Sequence, residues 1–180
     1  MMVESNPPLK GLKQAERSKG RELPPVHLWH PPYCGAIDMR IKSDGSWHYM
    51  GSKIHRPAMV RLFSTILRRE ETGEFVLVTP VERVGITVED APFVAVAMKI
   101  EGEGQDQSLV FTTNVEDDVA AGPDHAIRME DGKPYLHVRA RLEALIARSV
   151  YYDLVDLAQE IDGKIGIWSG GRFFPLGDTP

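Results

Sequence analysis

Two arginines, a tryptophan and a small-residue turn are the groups in this chain whose types could do chemistry together. Arg56 and Arg148 each present a rigid guanidinium fork matched to phosphate or carboxylate. Trp47 offers an aromatic face for stacking a planar base, and Ser169-Gly170-Gly171 is a turn whose backbone N–H groups can face an anion. These are the parts that a small, planar, anionic ligand requires. Each also has a plainer use: the indole in a core, Arg56 at a helix start, the turn as a turn. Arg148 carries most weight, because it falls on a helix expected to be wedged between two substructures, with Asp153 nearby in sequence to neutralise it in an empty site.

Other constellations are weaker. His27-x-x-His30-x-x-x-Cys34 supplies three metal-capable groups that would suit zinc, but it lacks a fourth ligand and is rich in proline, so loop packing is expected and no metal. As a nucleophile, Cys34 needs a base and an electropositive pocket, and His30 alone does not make a dyad. Glu82, Glu89 and Asp90 follow a short apolar run and could serve as paired carboxylates, although acids at strand ends are ordinarily solvated caps. No Gly-x-Ser-x-Gly elbow, phosphate-binding Walker loop or His-Glu-x-x-His occurs, which removes the commonest hydrolase and nucleotidase signatures. No residue is assigned as catalytic, and no cofactor beyond a nucleotide-like ligand is identified.

The elements that must position these groups are short. Ile37, Met39 and Ile41 alternate with polar residues, and Asp44-Gly45 followed by Trp47 and Tyr49 predicts a hairpin over 36–50. Pro57 suits the first position of a helix. Met59, Leu62, Phe63, Ile66 and Leu67 then fall on one helical face, with Gly73 as the expected stop. Short β-rich runs at 75–79, 86–88, 93–100, 109–113, 127–129 and 135–138 predict a meander, with 116–123 as a loop. A second helix is expected over 141–158. Its apolar face drifts between Leu142, Leu145 and Ile146 and the later Val150, Leu154 and Leu157, as if it were wedged between two substructures. A last hairpin pairs 165–168 with 173–176 around the Ser-Gly-Gly turn.

Composition sets the outer bounds. Of 180 residues 42% are hydrophobic and 29 are Gly or Pro, so the chain can bury a core and is rich in turns. The net charge of −5 argues against nucleic acid as a partner, and a single cysteine excludes an intramolecular disulfide, which suits a reducing cytoplasm. No apolar run approaches the roughly 20 residues needed to span a bilayer, so no membrane partner is expected. Residues 1–30 read as a basic N-terminal arm, in which Leu9, Leu12 and Ala15 have the spacing of a short docking helix.

Asp44-Gly45 with Trp47 and Tyr49, and Asp131-Gly132 with Tyr135 and Val138, each precede a helix and a hairpin, which suggests a duplicated β-β-α-β-β module. The expected division is an arm, an α+β module over 31–90 and a second over 91–180. One combined string is distinctive: Asp44-Gly45-x-Trp47, Gly51-Ser52-x-Ile54-x-Arg56, Leu62-Phe63-Ser64-x-Ile66-Leu67-Arg68-x-Glu70, Leu77-Val78-Thr79-Pro80-Val81-Glu82 and Val88-Glu89-Asp90-Ala91-Pro92-Phe93. It resembles the bacterial family named domain of unknown function 1285. Leu145-Ile146-x-Arg148, Tyr152-Asp153-Leu154-Val155 and Trp168-Ser169-Gly170-Gly171-x-Phe173-Phe174 are similar to its C-terminal half. The resemblance implies a duplicated α+β core, a C-terminal part superficially like a pleckstrin-homology barrel, and a groove between modules for a nucleotide-like ligand in signal transduction. The leading expectation is a ligand-sensing module that is not an enzyme. The alternatives are a hydrolase or transferase acting on the same ligand, and an adaptor for a signalling partner protein.

Overall fold

The computed structural model describes residues 9–12 and 22–180. The chain divides into two units, Met1–Glu89 and Asp90–Pro180. In the first, β1 (Tyr33–Ile41), β2 (Trp47–Tyr49), β3 (Ser52–Lys53), helix α1 (Pro57–Thr65), β4 (Leu67–Arg69), β5 (Phe75–Val78) and β6 (Arg83–Val88) form a six-stranded sheet ordered β3-β2-β1-β6-β5-β4. Two antiparallel three-strand meanders meet at a parallel β1–β6 pair. A parallel pair needs a long crossover, here the whole intervening module.

The second unit contains β7 (Phe93–Glu101), β8 (Ser108–Thr113), β9 (Asp118–Ala120), β10 (Ile127–Glu130), β11 (Lys133–Arg139) and β12 (Leu142–Ile146), ordered β10-β11-β12-β7-β8-β9. Numbered from one to six within its own unit, each sheet has the strand order 3-2-1-6-5-4, and in both the parallel pair joins the first strand to the last. The duplication is therefore real, but its register differs from the one expected. Asp44-Gly45 turns the first strand into the second, whereas Asp131-Gly132 turns the fourth into the fifth. After β12 come helix α2 (Arg148–Asp156) and a separate three-stranded sheet of β13 (Gln159–Ile161), β14 (Lys164–Ser169) and β15 (Arg172–Asp178).

The hairpin over 36–50, the helix from Pro57 and the final hairpin form as expected. Three expectations change. Helix α1 stops at Thr65 and not at Gly73, because the Ser64 and Thr65 hydroxyls donate back to the Arg61 and Leu62 carbonyls and Ile66 is β-branched. Leu67 then starts β4, and Gly73 lies in the turn that leads to β5. Residues 118–120 form β9 against β8, with only Val119 buried, so no apolar run marked this strand. The first part of the expected 141–158 helix is β12. Leu142, Ala144 and Ile146 are its buried side chains at a spacing of two, and pairing with both β7 and β11 overrides helical propensity. The drifting apolar face was a strand running into a helix.

The first unit's core is built on Met39, Ile41, Trp47, Phe63, Ile66, Leu67 and Leu77, and the second's on Phe93, Leu109, Phe111, Leu136, Ile146, Leu154 and Ile167. No helix among the described residues is long and apolar enough to cross a membrane. The docking helix expected from Leu9, Leu12 and Ala15 falls mostly outside the described residues.

Candidate functional site

The Ser169-Gly170-Gly171 turn joins β14 to β15, and its polar atoms are spent within the fold. The fully buried Ser169 hydroxyl accepts the Leu109 N–H at 2.8 Å and donates to the Ala121 carbonyl at 2.7 Å. Gly170 N–H donates to the Gln107 carbonyl at 3.1 Å, and Gln107 Nε2 donates to the Trp168 carbonyl at 2.9 Å. Glycine is required at 170: its φ is +61°, and a Cβ would stand 2.9 Å from the Ala121 carbonyl oxygen and 3.0 Å from Gly122 Cα. These four bonds fasten the three-stranded sheet to its six-stranded neighbour within the second unit. Ser169 and Gly170 therefore act as a structural lock in the fold. Gly171, with φ +78°, completes the two-residue turn between the paired Ser169 and Arg172.

Trp47 is likewise taken up by the fold. It is 1% exposed, its ring stacks on Phe63 with centroids 6.1 Å apart, and its indole N–H is buried without a partner. A side chain covered in this way has no face to offer a ligand. Arg56 is the exposed N-cap residue of α1 and already has an interaction partner.

Arg148 is the exposed first residue of α2. Ala147 precedes it as an N-cap without a side-chain bond, and the first turn holds no acidic residue, so the positive end of the helix is not offset locally. Asp153 cannot neutralise Arg148 along the helix: five residues at about 100° each put it on a different face. The residues that do share the Arg148 face are Tyr152 and Val155, at i+4 and i+7, and both are exposed, at 60% and 46%. Val150 and Leu154 are the buried side of this helix. Tyr152 was overlooked in the sequence because a helix begun at 141 puts its apolar stripe in the wrong phase. Starting the count at Arg148 brings out the i, i+4, i+7 set.

Glu82, Glu89 and Asp90 serve separate purposes. Glu82 is buried and accepts the Lys10 backbone N–H. Glu89 Oε2 accepts the Ser43 N–H at 3.0 Å, and its other oxygen lies 3.6 Å from Arg40. Asp90 accepts the Tyr135 phenol at 2.6 Å and Lys133 Nζ at 3.1 Å. Burial, and then the Asp90 carboxylate, push the Tyr135 phenol well above its ordinary range.

A further cluster absent from the sequence reading pins the proline-rich segment. Arg68 Nη1 donates to the Val26 and Trp29 carbonyls, both at 2.8 Å, while Arg68 Nη2 and Arg83 Nη1 reach Glu70 at 2.7 and 3.1 Å. Burial pushes the Glu70 carboxyl up, but the hydrogen bonds and charges of the two arginines outweigh it and hold the carboxyl below its ordinary value. Among the described residues, no three His, Cys, Asp or Glu side chains come together as a metal site. His27 lies in a 3₁₀ turn, and Cys34 is exposed in β1.

Two six-stranded sheets of one strand order, each in a unit with one nine-residue α-helix, define a duplicated α+β protein. The chain belongs to the DUF1285 family: its residues 24–91 match the N-terminal domain of that domain of unknown function, and residues 92–176 match the C-terminal domain. A DUF1285 family protein from Silicibacter pomeroyi DSS-3 is 54% identical in its crystal structure, with a TM-score of 0.85 over 94% of this chain and 96% of that one. Another, from Shewanella baltica OS155, is 26% identical, with a TM-score of 0.53 over 66% of this chain and 90% of its own. No curated protein matches the chain.

Proposed function

We propose that this protein is a sensing module without catalytic activity that binds a small, planar, anionic molecule of nucleotide-like chemistry on the outer face of α2. The observation that carries this reading is the exposed Arg148 with Tyr152 one turn beyond it. Arg148 supplies a fork for phosphate, the uncapped first turn adds N–H donors, and the Tyr152 ring supplies the stacking surface that the buried Trp47 does not offer.

A thermal-shift screen with ATP, ADP, GMP, NAD and inorganic phosphate tests it. A ligand at about 100 times its Kd adds roughly 2.7 kcal/mol, or about 5–10 °C for a chain of this length. Arg148→Ala is expected to abolish the shift, and Tyr152→Leu to weaken binding about ten- to a hundredfold, the scale of one base–aromatic stack. Binding that survives both substitutions refutes the site. Recovery of the probe chemically altered would favour a hydrolase or transferase instead. Tyr152 and Val155 also form an exposed apolar pair. If no probe shifts the protein, that pair favours docking of a signalling partner protein.

A further inference from the structure

Residues 79–82 link β5 to β6 as a tight turn, with Thr79 N–H donating to the Glu82 carbonyl at 2.9 Å. Thr79 is fully buried and Glu82 is 7% exposed, although both are polar and lie in a connection between strands. A buried carboxylate and a buried hydroxyl in a loop require partners. Within the turn the Thr79 hydroxyl accepts the Glu82 N–H at 3.2 Å and the Val81 N–H at 3.4 Å, while its shortest bond and the partner of the Glu82 carboxylate come from a single residue about seventy positions earlier. The Lys10 N–H donates to Glu82 Oε1 at 2.5 Å, and the Thr79 hydroxyl donates to the Lys10 carbonyl at 2.5 Å. One acceptor and one donor therefore bracket the main chain of one residue, while the Lys10 side chain stays exposed.

The next residue is selected by shape. Gly11 has φ +82°, and a Cβ there would lie 2.7 Å from Val81 Cγ2 and 2.9 Å from Thr79 Oγ1. Only glycine combines that conformation with that approach. Val81, 47% exposed, is the apolar wall that reads the missing side chain.

We propose that the Thr79–Glu82 turn is a peptide-binding clasp, which reads the main chain of an X-Gly turn through Glu82 and Thr79 and the absence of a Cβ through Val81. Its resident occupant is the chain's own Lys10-Gly11. The arm is thus a tethered ligand that a second peptide of the same chemistry can replace. This site lies in the first unit and is independent of the face proposed on α2.

The experiment uses the full chain and its Gly11→Val variant, which changes only the occupant and leaves the clasp and the core intact. Hydrogen exchange of the Lys10 amide is expected to be at least tenfold slower in the wild type than in Gly11→Val. A fluorescein-labelled peptide of residues 7–14 is then titrated into both. It is expected to bind the vacated Gly11→Val chain about tenfold or more tightly than the wild type, where the arm competes at an effective concentration on the order of millimolar. The same peptide carrying Gly11→Val is expected not to bind. Equal amide exchange in the two chains overturns the proposal, because the arm then does not occupy the clasp. Equal affinity for both chains also overturns it, because the peptide then binds elsewhere, and so does failure to bind the vacated chain at millimolar peptide.

Discussion

Ser169→Ala separates a structural serine from a ligand-binding one. The hydroxyl sits between the Leu109 N–H and the Ala121 carbonyl, at 2.8 and 2.7 Å, with no exposed surface. Alanine removes both bonds at once and leaves a buried donor and a buried acceptor. Each costs about 1–3 kcal/mol when unpaired, so a net loss of about 3 kcal/mol is expected after the smaller side chain is allowed for. At about 2–4 °C per kcal/mol for a chain of this length, the ligand-free protein should melt about 6–12 °C lower. Scanning calorimetry measures this, with exposed Ser149→Ala as the control expected to stay within about 1 °C. Hydrogen exchange adds a local readout, since the Leu109 amide should lose protection in the variant. If Ser169→Ala melts with the wild type and the Leu109 amide stays protected, the hydroxyl is not part of the fold, and the turn returns as an anion cradle. Gly170→Ala should weaken the same attachment through the Ala121 carbonyl and the positive φ.

Trp47→Ala should cost about 3–5 kcal/mol, read from urea midpoints, because it empties a fully packed position against Phe63. Trp47→Phe should cost less than half of that, because it also removes the unpartnered buried indole N–H; equal losses would mean that the N–H has an acceptor. Glu70→Gln tests the arginine clamp by pH. Because the folded carboxyl titrates below its ordinary 4.5, the stability it confers is fully present above that value and is lost as the pH falls through the lower folded one. Unfolding midpoints between pH 6 and pH 3 should therefore fall more steeply for the wild type than for the variant, and parallel curves would remove Glu70 from the clamp's energetics.

How far the sequence reached depends on which signals are local. The hairpin at Asp44-Gly45, the helix start at Pro57 and the Ser-Gly-Gly turn are each set by residues within a few positions of one another, and all three were legible. The pairing of β12 with β7 spans about fifty residues, and nothing local distinguishes Leu142, Ala144 and Ile146 from a helix start. The same failure of range hid the register of the duplication, since turn dipeptides recur without regard to which strands they join. The site residues divide in the same way. That Arg148 is charged could be read directly, but that Ser169 is consumed by Leu109 and Ala121, and Glu82 by Lys10, could not, because each partner lies roughly fifty to seventy residues away.

The fold itself supplies a criterion for weighing the candidates that residue type alone put forward. Trp47, Ser169 and Gly170 are each over-determined by packing or hydrogen bonding, so evolution could not retune them for a ligand without loosening a core or a sheet attachment. Helix α2 shows the opposite economy. Its nine residues are anchored by Val150 and Leu154 on one side, which leaves Arg148, Tyr152 and Val155 without a burial role on the other. A large aromatic ring held in water has an apolar surface that folding has not removed from solvent, and a guanidinium lies one turn away. Those side chains, unlike the tryptophan, carry no packing role, which is why the proposed site is placed on the α2 face.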